Sequence, residues 1–151
     1  MTEHDSDSLT TTTHHTLSNT FAVNTLAPLL LNECLLPSLL LSPYPYIGLM
    51  SSRVGSFSDN SSGGSYAYRT SKAALNSIGK SMAMDLKEKE VVVVLMHWYV
   101  KTGLDTSGKT HATKEAVEPE EAAEKLWKVL MSKSIQDTGT FWHRKGMELA
   151  W

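Results

Sequence analysis

Apolar residues are spread unevenly along the chain: short unbroken runs alternate with longer stretches where they recur every three or four positions. Over residues 16–36, Phe21, Leu26, Leu29, Leu30 and Cys34 supply a broad apolar surface, and Ser18 or Asn19 offers a cap. This predicts a helix with a fault, because Pro28 has no N–H for the carbonyl of Asn24. A kink with a free backbone acceptor at Asn24 is expected. After Ser42, Pro43 and Pro45, residues 46–51 read as a short buried strand. A Ser- and Gly-rich loop over 52–65 leads into a helix over 66–87. There Leu75, Ile78, Met82 and Leu86 follow one face, and Ala73, Ala74 and Ala83 permit close packing.

Residues 91–96 form the plainest strand, since β-branched residues without alternation imply burial on both faces. A polar, irregular stretch from Thr102 to Val117 follows. Pro119 with Glu120 and Glu121 then opens a helix expected to bury Ala123, Leu126, Trp127 and Leu130. A last strand is expected over 140–142. Helices and strands therefore alternate, which predicts an α/β fold with a parallel sheet, right-handed crossovers and helices on its faces. Chemistry in such sheets sits beyond the carboxyl ends of the strands, here Ser51-Ser52 and residues 97–102.

With 151 residues, 41% of them hydrophobic and 20% charged, the chain has material for one globular core. Residues 1–15 offer little to bury and read as a disordered polar lead, leaving one domain over 16–151. Adjacent His14 and His15 lack further ligands nearby, so no metal site is expected. The net charge of −2 disfavours nucleic acid as the main partner. A single cysteine, Cys34, and an N-terminus without a cationic start or apolar core point to a cytoplasmic chain. The apolar region 29–41 is interrupted by Asn32, Glu33 and Pro37, so no membrane span is expected.

Candidate chemistry lies at the start of the 66–87 helix, in Tyr68-Arg69-Thr70-Ser71-Lys72. Tyr68 and Lys72, four apart, share one helical face. A phenol is a poor proton donor or acceptor at neutral pH, and an adjacent ammonium favours its ionised form. The spacing alone is weak, and a surface helix pair is the bland alternative.

Other segments agree with it. SSRVGS at 51–56, YRTSKAALN at 68–76, VKTGLD at 100–105 and the closing GMELAW together resemble the short-chain dehydrogenase/reductase family. The likeness is strongest to its C-factor and sniffer-like carbonyl reductases, and it covers residues 17–151. It implies that Tyr68 is the catalytic acid-base and that Lys72 tunes it and holds the nicotinamide ribose. Ser52 would hydrogen-bond the substrate carbonyl, with Ser51 as a rival. Asn24, in FAVNTLAP, would hold a water relaying protons to Lys72. Tyr68, Lys72, the backbone at Val100 and Thr102 would bind the nicotinamide end of NAD or NADP. The likeness implies a small carbonyl or alcohol substrate, and pairing with another copy or a relative through the helices containing Asn24 and Tyr68.

Two departures qualify the resemblance. The family's Pro-Gly after the position of His97 is Trp98-Tyr99 here, and two bulky aromatics should crowd the nicotinamide pocket. His97 itself is expected to end the strand rather than act as a catalyst. The family also begins with a strand, a glycine-rich turn and a helix that binds pyrophosphate, and these 151 residues contain no such turn. The expected fold is thus a partial Rossmann-like sheet, a truncated NAD(P)-dependent oxidoreductase that by itself binds cofactor feebly and turns over little. The alternative is a non-catalytic remnant serving as an interaction module with a full-length relative.

Overall fold

The computed structural model describes residues 7–102 and 116–151. It begins with a long helical run built of α1 (His14–Phe21), a π turn (Ala22–Leu26) and α2 (Ala27–Leu39). Thr13, not Ser18 or Asn19, caps its start by accepting from the Thr16 amide at 3.1 Å. The fault expected near Pro28 takes the form of the π turn, in which the Ala27 amide reaches back five residues to the Ala22 carbonyl. The helix continues through Pro37 to Leu39, past the expected end at 36.

Of the polar lead expected over residues 1–15, the described part is folded. Asp7 is buried; its carboxylate accepts from the Ala67 amide at 2.6 Å and from the Thr12 hydroxyl, and its carbonyl accepts from the Ser65 amide. An acidic side chain so placed satisfies an otherwise unpaired donor at the start of the next helix.

β1 (Tyr46–Met50), α3 (Tyr66–Asp85), β2 (Val92–His97), α4 (Pro119–Met131) and β3 (Thr140–His143) complete the order. The strands form one parallel sheet in the order β1-β2-β3, with Met50 opposite Met96 and His97 opposite His143. This is an open, partial Rossmann-like sheet with flanking helices. β2 lies in the middle and is buried along its whole length, as its unbroken valines require. Its alternate residues feed two cores. Val93 and Leu95 join Ile47, Leu49, Leu75, Ala83, Leu86 and Phe141 on the α3 side, while Val92, Val94 and Met96 meet Leu126, Leu130 and Trp142 on the α4 side.

The buried face of α4 is shifted by one residue from the expected one. Ala122 and Val129 are buried, with Leu126 and Leu130 half-buried, whereas Ala123 and Trp127 are exposed. Both rows have helical spacing, and only the tertiary contact decides which one faces the sheet.

The run His14–Leu39 is long and apolar enough, by length and composition alone, to cross a membrane. Thr25 within it is buried, however, and hydrogen-bonds to α3.

Candidate active site

The carboxyl end of β1 separates two adjacent serines. The Ser51 amide extends the ladder by donating to Met96 at 2.8 Å, and the Ser51 hydroxyl donates to the Asn76 side chain inside the fold. Backbone alternation turns the next residue the other way, and Ser52, also buried, hydrogen-bonds the Tyr68 hydroxyl. Of the two rivals, it is therefore Ser52 that meets the phenol.

Tyr68 and Lys72 stand on one face of the first turns of α3, with the Lys72 ammonium 5.7 Å from the centre of the Tyr68 ring. Lys72 Nζ donates to the Met50 carbonyl at 2.9 Å, which ties the pair to the end of β1. Burial pushes the Tyr68 phenol above its ordinary value of 10.0; the Ser52 bond opposes this, and the neighbouring Tyr99 phenol adds to it. Burial likewise lowers Lys72 from its ordinary value. The direction at Tyr68 differs from the one expected from the Tyr-Lys spacing, because loss of hydration is the largest influence on the phenol. Gly55 lets this end of α3 approach closely: a Cβ there would lie 2.8 Å from the Lys72 carbonyl carbon.

Asn24 reaches the same helix turn through Ser71. Its side-chain amide donates to Ser71 Oγ at 3.1 Å, and that hydroxyl donates to the Tyr68 carbonyl at 2.8 Å. Next to it, Thr25 Oγ1 donates to the Ser71 carbonyl at 2.9 Å. Asn24 is thus tied by its side chain to Ser71, the residue preceding Lys72.

Beyond β2 the two aromatics part company. Trp98 is buried on the α4 side, its ring 4.8 Å from the Arg144 guanidinium and 5.9 Å from the Lys125 ammonium. Tyr99 turns to the α3 side, edge-on to His97 at 4.9 Å and close enough to Tyr68 to influence its phenol. Strand alternation thus sends Tyr99, and not Trp98, toward Tyr68. Val100 bridges Val117 in parallel, using the Tyr99 carbonyl and the Lys101 amide, so its own amide and carbonyl face the opposite edge. Thr102 is exposed at the limit of the described residues. The substrate lid expected between Thr102 and Pro119 lies, over 103–115, outside them.

The structure therefore gathers Asn24, Ser52, Tyr68 and Lys72 around one turn, with Val100 on the neighbouring strand extension. Sequence reasoning missed Thr25, although it adjoins Asn24 in the faulted helix, and did not separate Tyr99 from Trp98, whose directions differ by the strand period. Among the described residues no group of three His, Cys, Asp or Glu side chains could hold a metal ion.

Known proteins resemble the chain in sequence and structure. A 1-hydroxy-2-glutathionyl-2-methyl-3-butene dehydrogenase from Rhodococcus sp. (strain AD45) is 37% identical over 129 residues, covering 85% of this chain and 56% of that protein. The C-signal protein of Myxococcus xanthus is 34% identical over 136 residues, covering 89% of this chain and 78% of its own length. An NADPH-bound carbonyl reductase from chicken fatty liver superposes with a TM-score of 0.87 at 31% identity, over 97% of this chain and 61% of that one. The carbonyl reductase Sniffer of D. melanogaster gives 0.83 at 30% identity, over 95% and 60%. The chain thus spans little more than half the Rhodococcus protein and about three-fifths of the two reductases. The family profile described as short chain dehydrogenase matches residues 3–113. On this match, and on the Ser-Tyr-Lys arrangement it accompanies, the chain belongs to the short-chain dehydrogenase family.

Proposed function

We propose that these residues form the catalytic part of an NAD(P)-dependent oxidoreductase that reduces a small carbonyl or oxidises the corresponding alcohol. The observation that carries this reading is the hydrogen bond between Ser52 and Tyr68 at the carboxyl end of β1, with Lys72 on the same helix face. A carbonyl oxygen placed between the two hydroxyls would accept from both. A phenol raised by burial stays protonated near neutrality, so Tyr68 is held as the donor that protonates the oxygen as negative charge develops there. Ser52 fixes the angle of that oxygen and stabilises the same charge.

The residues present fit the nicotinamide-ribose end of the cofactor. Lys72 and Tyr68 offer hydroxyl-binding groups on one face, and Val100 turns its amide and carbonyl away from its strand partner. Thr102 would add a hydroxyl at the same edge. Bound there, the nicotinamide supplies or takes up the hydride. Affinity in this architecture comes largely from backbone amides at a glycine-rich helix start. These 151 residues contain none, so weak binding is expected.

A second reading, pairing with another copy or a relative, is favoured by Leu26, Leu30, Leu31 and Leu35, all exposed on one long helix. A concentration series by sedimentation tests it, and a strictly monomeric profile counts against it.

For the catalytic reading, NADPH and NADH are titrated into labelled protein by NMR, and turnover of an aldehyde is assayed at high cofactor concentration. Resonances of Tyr68, Lys72 and Val100 should move, and Tyr68→Phe should abolish turnover while leaving the shifts at Lys72 and Val100 in place. Lys72→Ala should damage both. Full turnover by Tyr68→Phe would refute the assignment.

A further inference from the structure

We propose that Thr25 is a positioning residue for the Tyr68–Lys72 pair, acting through Ser71; the proposal rests on the catalytic reading above. In a regular α-helix, adjacent side chains point well apart. The π turn at Ala22–Leu26 carries more residues per turn, so Asn24 and Thr25 diverge less and both reach α3. They hold the two polar ends of one residue: Thr25 Oγ1 donates to the Ser71 carbonyl at 2.9 Å, and Asn24 Nδ2 donates to Ser71 Oγ at 3.1 Å. Ser71 Oγ in turn donates to the Tyr68 carbonyl at 2.8 Å, and Lys72 follows in the chain.

Ser71 is wholly buried, and Thr25 nearly so, which keeps water from replacing these bonds. Elsewhere around the same turn, Gly55 packs against the Lys72 and Ala73 backbone with no room for a Cβ. The first turns of α3 are thereby fixed relative to both the π turn and the end of β1. Ser52 lies at that end, so the Thr25 bond sets the approach of Tyr68 to Ser52.

The test uses the full chain with 13C-labelled tyrosine at neutral pH, Tyr68 being assigned through Tyr68→Phe. Ser52→Ala calibrates the displacement of the Tyr68 ring resonance that follows loss of the Ser52 bond. Thr25→Val should displace that resonance in the same direction, Thr25→Ser should restore it, and the amide resonances of α4 and β3 should stay in place. An unmoved Tyr68 in Thr25→Val, or no rescue by Thr25→Ser, overturns the proposal while leaving the catalytic reading intact. If Ser52→Ala itself moves nothing, the catalytic reading fails and the proposal falls with it. Should Thr25→Val not fold, Thr25→Ala supplies the same comparison without the added branch.

Discussion

Replacing His97 with leucine should flatten the acid side of the stability profile. His97 is 2% exposed, and among the described residues neither ring nitrogen has a hydrogen-bond partner. Its protonation is opposed first by burial, then by the charges of His143, Arg53 and Arg144, while Asp59 acts the other way; together they lower its pKa from 6.5 to about 4. The unfolded chain takes up a proton near 6.5, whereas the folded chain resists until about 4. Stability contributed by neutral His97 is therefore fully present above 6.5, is lost as pH falls toward about 4, and changes no further below that. The gap corresponds to roughly 3 kcal/mol, a large fraction of the stability of a domain this size. Urea unfolding of the wild-type chain and His97→Leu at several pH values between 7.5 and 4 measures it. Titrating groups that do not interact with His97 slope both curves alike, so the difference between the curves reports His97 together with its coupling to neighbours such as His143. Parallel profiles would refute the reasoning.

Two further substitutions test how the site is held. Gly55→Ala would place a methyl 2.8 Å from the Lys72 backbone. It should cost about 1–3 kcal/mol in denaturant unfolding and alter the Tyr68 resonances, because the helix must retreat. Asp7→Ala removes the carboxylate that receives the Ala67 amide and should cost about 1–2 kcal/mol, whereas Asp7→Asn should recover part of that. An unchanged midpoint in Asp7→Ala would mean that the segment before α1 does not support α3.

Much of this architecture is legible in the sequence because it rests on local period. The valine run of β2 and the three- and four-residue spacing of α3 depend on nothing remote, and both elements lie within two residues of where the pattern puts them. Pro28 marks the faulted helix, yet whether a missing amide produces a kink or a π turn depends on what the helix packs against. Here Thr25 and Asn24 find Ser71, a residue 46 positions beyond Thr25. Asp7 was illegible for the same reason, since nothing in a polar lead announces a helix start 60 residues away. Resemblance alone prefers Ser52 over Ser51, and the physical reason becomes visible only once Asn76 is seen to occupy Ser51. The direction of the shift at Tyr68 depends on how much water the fold removes, which the spacing of Tyr68 and Lys72 does not specify.

The opposite fates of Trp98 and Tyr99 make the lining of the site a matter of parity. Which ring faces Tyr68 depends on whether it stands an even or an odd number of residues past His97, because successive side chains alternate across the strand extension. Inserting one residue directly between His97 and Trp98 would exchange the two faces without altering either ring. Such a change would send one aromatic to the catalytic side and the other to the packing between α4 and β3. A chain of this design can thus remodel its pocket by a count of one, a step that no single substitution reproduces.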